Sequence, residues 1–184
     1  MKKELNLIAT ISDREVNLFR KMATILSNTY NVAFVEETHQ RYVSFQSSQV
    51  KQVATREISD LLIIAFSPSS QSVRMTFLQA KYHRGIIDNA QRKFSADFFQ
   101  YELLAERPVL VGSSGFYNFP TDILSVSCCS SVGSYGVFFI DPSNQIDLAY
   151  SSAKFLTPKT SLPSYYAGYQ VEFEIPSTIG NNIN

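Results

Sequence analysis

ISDLLIIAF (58–66), SPSSQS (67–72) and VRMTFLQAKYH (73–83) form the stretch whose reading decides the fold. Two apolar runs flank a Pro/Ser segment, which is the pattern of a β-hairpin. Leu61 to Phe66 is apolar on both faces, so this strand is expected inside a sheet and not at its edge. Upstream, Val16, Leu18, Phe19, Met22, Ala23, Ile25 and Leu26 recur at helical spacing. Ser12 and Glu15 stand in front of them at the spacing of a capping box. This predicts a helix over 13–29. Short strands are expected at 31–35 and 42–46, with a polar loop over 36–41, and residues 47–56 are ambiguous. Downstream, FSADFFQYELLAE (94–106) reads as a second helix. A short buried strand over 109–111 follows Pro108. Tyr135–Ile140 and Ile146–Tyr150 flank Asp141-Pro142-Ser143-Asn144, a turn signal, and form a second hairpin. GYQVEFEI (168–175) alternates as a strand. The order predicts a single α/β domain over 1–176 with a mixed central sheet flanked by helices, and a flexible tail over 177–184.

Composition narrows the function classes. The 184 residues are 45% hydrophobic and 17% charged, with 16 Lys+Arg against 16 Asp+Glu. A net charge of zero excludes a DNA-coating protein that works by bulk positive charge, and an acidic disordered chain. No apolar stretch approaches the ~20 residues of a membrane helix, so no membrane partner is expected. The opening MKKELNLIATISDREV does not read as a signal peptide. The only two cysteines, Cys128 and Cys129, are adjacent. That is not a disulfide framework, and it fits a reducing, cytoplasmic setting in which both act as small core residues.

The hairpin also carries the candidate chemistry. A turn centred on residue 70 makes paired positions sum to about 140. Asp60 then stands across from Ala80, and within one residue of Gln79 and Lys81. Gln79 and Lys81 are two apart, so their side chains share a strand face. Asp60, the Gln79 side-chain oxygen and the Ala80 carbonyl are hard oxygen donors that suit Mg²⁺ or Mn²⁺. Lys81 beside such an ion would orient a water for attack on a phosphodiester. A second carboxylate has four sources: Glu57, Glu15, Glu36 or Glu37. Glu57 is the nearest in sequence, though a regular strand points it to the other face from Asp60. Between 74 and 93, Arg74, Lys81, Arg84, Arg92, Lys93 and His83 face a single acid, Asp88. This window is where phosphates would approach, with Tyr82 and His83 able to pack on sugars or bases. GSSG (112–115) lacks the lysine of a phosphate loop and reads as a turn.

REISDLLIIAF and RMTFLQAK, separated by a turn, resemble the core of the PD-(D/E)XK nuclease superfamily, which includes restriction endonucleases, repair nucleases and phage-defence effectors. In that superfamily the metal-binding Asp lies on one strand and (D/E)-x-K on the next, within a mixed sheet flanked by helices. The resemblance spans residues 55–111, with the first helix in addition. It implies a restriction-endonuclease-like core, Asp60 as metal ligand, Gln79 in place of the acidic ligand and Lys81 as the lysine. It also implies a Mg²⁺-dependent (or Mn²⁺-dependent) endodeoxyribonuclease acting on DNA in restriction or phage defence, as a homodimer or in a larger defence complex. It makes Glu15 a further metal candidate. Two departures stand out: glutamine replaces the acidic ligand, and no proline precedes Asp60. The alternative is a catalytically degenerate nuclease fold that binds DNA, or an interaction subunit using the aromatic C-terminal third (Tyr165, Tyr166, Tyr169).

Overall fold

The computed structural model describes residues 15–29, 32–37, 41–86, 93–112, 120–140, 142, 144, 146–158 and 170–174. The Ser12 cap, Tyr165, Tyr166, Tyr169 and the tail over 177–184 lie outside them.

The predicted hairpin is the centre of the molecule. β4 (Leu61–Ser67) and β5 (Ser72–Ile86) pair antiparallel with Leu61 opposite Leu78 and Ser67 opposite Ser72. Paired positions therefore sum to 139, one less than the turn alone suggested. β1 (Val32–Glu37) flanks β4 antiparallel, with Glu37 opposite Leu61, so β4 is interior, as its two-sided apolar run required. β8 (Gly133–Ile140) lies parallel to β5, and β9 (Ile146–Ser152) closes the five-stranded order β1-β4-β5-β8-β9. A parallel neighbour needs a crossover. Here it contains β6 (Lys93–Asp97), α2 (Phe98–Glu106) and β7 (Val111–Gly112). The described residues also form two small sheets: β2 (Tyr42–Gln46) between β3 (Val53–Glu57) and β7, and β6 paired with β10 (Gln170–Glu174). The chain is thus mixed α/β with a mixed-orientation central sheet.

Alternation along β5 divides the core in two. Leu78 and Ala80 face α1 (Glu15–Thr29), where Leu18 and Met22, four residues apart, pack with Leu61 and Phe138. Phe77, on the other face of β5, belongs with Tyr135, Val137 and Phe139 to the larger cluster that covers α2. α2 buries Phe98, Phe99, Leu103, Leu104 and Ala105, and also Gln100 and Glu102. A helix buried on nearly every side lies between two layers. Glu102 ties it to the β2–β3 turn by accepting from Ser48 N (2.6 Å), Ser48 Oγ (2.9 Å) and Gln49 N (3.2 Å). On the opposite side, a Cβ placed on Gly133 would stand 2.3 Å from the Leu104 carbonyl oxygen. Helix backbone therefore touches strand backbone at this point. Gly133→Ala is expected to destabilise the fold by about 2 kcal/mol through overpacking, measured as a lower denaturant midpoint at unchanged slope.

Several expectations are corrected. FSADFFQYELLAE is not one helix. Phe94 and Ala96 are buried while Lys93 and Ser95 are exposed, the alternation of a strand, and they pair with β10. The helix starts only where the Asp97 carboxylate accepts from Gln100 N (3.0 Å) as its N-cap. In the 109–111 segment only Leu110 is buried, and Val109 and Val111 are 64% and 62% exposed. Glu36 and Glu37 continue β1 in place of opening a loop. The ambiguous 47–56 stretch holds the β2–β3 turn and most of β3. Cys128 and Cys129 are exposed free thiols, not core residues. Among the described residues, no helix is long and apolar enough to cross a membrane.

Candidate functional site

Asp60 is the last residue before β4, in a short Ile58–Asp60 link from the β2–β3 sheet to the central one. Its N–H donates to the Leu78 carbonyl (3.1 Å), although Leu78 already pairs with Leu61. The Asp60 carboxylate then takes over where β4 stops. Its Oδ2 accepts from Ala80 N (2.8 Å) and from Gln79 Nε2 (2.5 Å). Beyond these positions β5 keeps β8 as its partner, with Gln79 opposite Tyr135 and Lys81 opposite Val137. Asp60 and Gln79 therefore meet at one strand end, with Lys81 two residues further along the same face of β5.

The contact differs in chemistry from the expected one. Gln79 meets Asp60 through its amide nitrogen, as a donor, and Ala80 meets it through its N–H. The orientation follows from charge: an amide oxygen turned to the carboxylate would set two acceptors against each other. Gln79 is only 6% exposed, and its Oε1 is buried without a hydrogen-bond partner among the described residues.

Glu57 ends β3 in the other sheet, opposite Tyr42, and its backbone carbonyl accepts from Gln100 Nε2 (2.7 Å). Glu57 and Asp60 are thus not on one strand. Tyr82 packs into the α1-side cluster, on the face of β5 opposite Gln79 and Lys81. His83 shares the parity of Lys81, opposite Phe139 on β8. Lys93 lies on β6 and pairs with Glu172 (2.9 Å). The side chains of Arg84, Glu15, Glu36 and Glu37, and all of Arg92, lie outside the described part. The structure therefore brings Asp60, Gln79 and Ala80 together, places Lys81 on the same face of β5 as Gln79, and sets Tyr82 on the other face.

Four residues that sequence reasoning passed over adjoin this end of the sheet. Asp97, besides capping α2, holds Arg56 in a two-point pair, Nε to Oδ1 (2.6 Å) and the second nitrogen to Oδ2 (3.0 Å). The Arg56 guanidinium lies 5.0 Å over the Phe99 ring. With Gln100, this pair fixes the end of β3 that leads into Asp60. Tyr135 is 1% exposed, and its hydroxyl has no hydrogen-bond partner among the described residues. Burial pushes its phenol well above the ordinary value, and the charges of Asp97, Asp60 and Tyr101 act the same way. Tyr101 is raised by burial and then by Glu106, and donates to the Leu156 carbonyl (3.0 Å). The one sequence signal for any of these was Asp97 three residues before Gln100, which is N-cap spacing.

The donor set bears on a divalent cation through one carboxylate and one amide oxygen, both hard. Both would ligate a single ion only if the Gln79 amide turned its oxygen toward Asp60. Among the described residues, no three His, Cys, Asp or Glu side chains group as metal ligands. No protein-family model, no curated protein and no solved structure matches the chain.

Proposed function

We propose that the chain is a metal-dependent nuclease with a restriction-endonuclease-like core, hydrolysing DNA phosphodiester bonds. The observation that supports this best is the contact of Asp60, at the head of β4, with Gln79 on β5, two residues before Lys81 on the same strand face, in a mixed sheet with α1 on one face and α2 on the other. In this reading Asp60 holds Mg²⁺ or Mn²⁺, Gln79 and Ala80 N–H hold the carboxylate in place, and Lys81 orients the attacking water. A bound divalent cation supplies charge stabilisation at the phosphate and a more acidic water. His83, two residues beyond Lys81 on the same face of β5, is a group for DNA phosphates in this reading. Restriction or phage defence, in a dimer or larger complex, is the cellular role this reading fits.

A second reading is favoured by the Gln79 nitrogen facing Asp60: a nuclease fold that binds DNA without cutting it. Purified protein is incubated with plasmid and linear DNA in Mg²⁺, Mn²⁺ or EDTA, beside Asp60→Ala and Lys81→Ala. Cutting that needs a divalent cation and falls at least ~100-fold in either variant is the expected result. Salt-sensitive binding without cutting would select the second reading, and cutting that survives both substitutions would end the first.

A further inference from the structure

Among the described residues, two polar atoms on the α2-side face of the central sheet are buried without a hydrogen-bond partner: Gln79 Oε1 on β5 and the Tyr135 hydroxyl on β8. They belong to residues directly opposite each other in the parallel β5–β8 pair, whose side chains leave the sheet on the same side. They are also complementary. An amide oxygen only accepts, while a phenol donates. The Tyr135 phenol stays protonated, because burial and the neighbouring carboxylates all push its ionisation up. Its ring is held by Phe94 (centroids 5.7 Å apart) and Phe173 (6.5 Å), so the hydroxyl is carried by a packed platform. Buried polar groups in native proteins are paired with protein or with ordered water.

We propose that Tyr135 is a positioning residue that sets which end of the Gln79 amide faces Asp60: its hydroxyl donates, through one shared buried water, to Gln79 Oε1. The amide is then pinned at both ends, Nε2 on Asp60 and Oε1 on the water. Donation to the carbonyl polarises the amide and strengthens its N–H bond to the carboxylate. The chain Tyr135–water–Gln79–Asp60 runs from the middle of the core to the strand end. Its purpose, to aim a single carboxylate, rests on the Asp60 site proposed above, but the link itself does not.

The test uses the full chain and needs neither metal nor cleavage. Tyr135→Phe keeps the ring and removes the hydroxyl, and Gln79→Met removes the acceptor. In denaturant unfolding, a double-mutant cycle is expected to show a coupling factor of roughly ten in the unfolding equilibrium constant. Effects that multiply to within about twofold would overturn the link. Should Gln79→Met not fold, hydrogen exchange of the Gln79 side-chain amide in Tyr135→Phe decides the matter. An acceleration of roughly tenfold over the unsubstituted chain is expected when the pin is removed. An unchanged rate would overturn the proposal. Coupling found in a protein that does not cut DNA would uphold Tyr135 as the positioning residue and remove the nuclease reading alone.

Discussion

Gln79→Glu is expected to lower stability by about 3 kcal/mol at neutral pH in EDTA, and to recover most of that loss when Mg²⁺ or Mn²⁺ is added. The starting contact is the 2.5 Å bond from Gln79 Nε2 to Asp60 Oδ2. A hydrogen bond to a charged group contributes about 1.5–3 kcal/mol, and the substitution removes it. In its place a second carboxylate faces the first, and two carboxylates in contact cannot both ionise freely. One of them holds a proton in the folded state above the ordinary carboxylate range. A group whose folded pKa is raised adds stability below its unfolded pKa, and that stability is lost as pH rises through the folded value. The penalty is therefore smallest in acid and grows toward neutrality. A divalent cation replaces the shared proton and removes the repulsion. The measurement is the denaturant midpoint against pH, with EDTA and with each metal. A variant that neither metal restores would sink the cation site, while a flat pH profile would sink the Asp60–Gln79 contact itself.

Asp97→Ala is expected to cost about 2–3 kcal/mol, well beyond an ordinary surface change. Three bonds end on this carboxylate, two from Arg56 and one from Gln100 N. The cap alone is worth about 1 kcal/mol. The ion pair is partly exposed, with side chains 33% and 24% accessible, so solvent screening keeps its own share to about 1 kcal/mol. The rest comes from leaving the Arg56 guanidinium over Phe99 without its counter-ion. Arg56→Met separates the two contributions. It keeps the cap and the packing on Phe99, and is expected to cost only about 1 kcal/mol. Thermal or denaturant unfolding of both variants checks this. Equal losses would mean that the cap contributes nothing and that the pair is all Asp97 does.

The hairpin was legible because two independent signals agreed on it. The two-sided apolar run of Leu61–Phe66 required neighbours on both edges, and β1 and β5 supply them. The turn length set the register to within one residue, enough to bring Asp60 to Gln79. The α1 stripe was legible for the same reason: Leu18 and Met22 repeat at the period of a helix with one buried face. Phe94–Ala96 misled because Phe94, Phe98 and Phe99 also suit a helical face, and the strand partner that decides the matter, β10, lies some 75 residues later. The exposed Val109 and Val111 and the exposed cysteine pair show the converse. An apolar side chain is buried only where another element arrives to cover it, and no local pattern reports that arrival.

By itself the sequence determined the hairpin, the first helix, the α/β class and the identity of the polar residues at the strand end. Those properties rest on local periodicity and turn chemistry, which neighbouring residues carry. Only the tertiary structure decided that the Gln79 nitrogen faces Asp60, that Tyr82 belongs to the α1-side core, and that Tyr135 lies opposite Gln79 across the parallel β5–β8 pair. The parallel register is set by the crossover through α2, packed so closely that Gly133 lies against the Leu104 carbonyl. Contacts between residues 56 positions apart follow from that packing, because no local spacing constrains which strand a crossover returns beside.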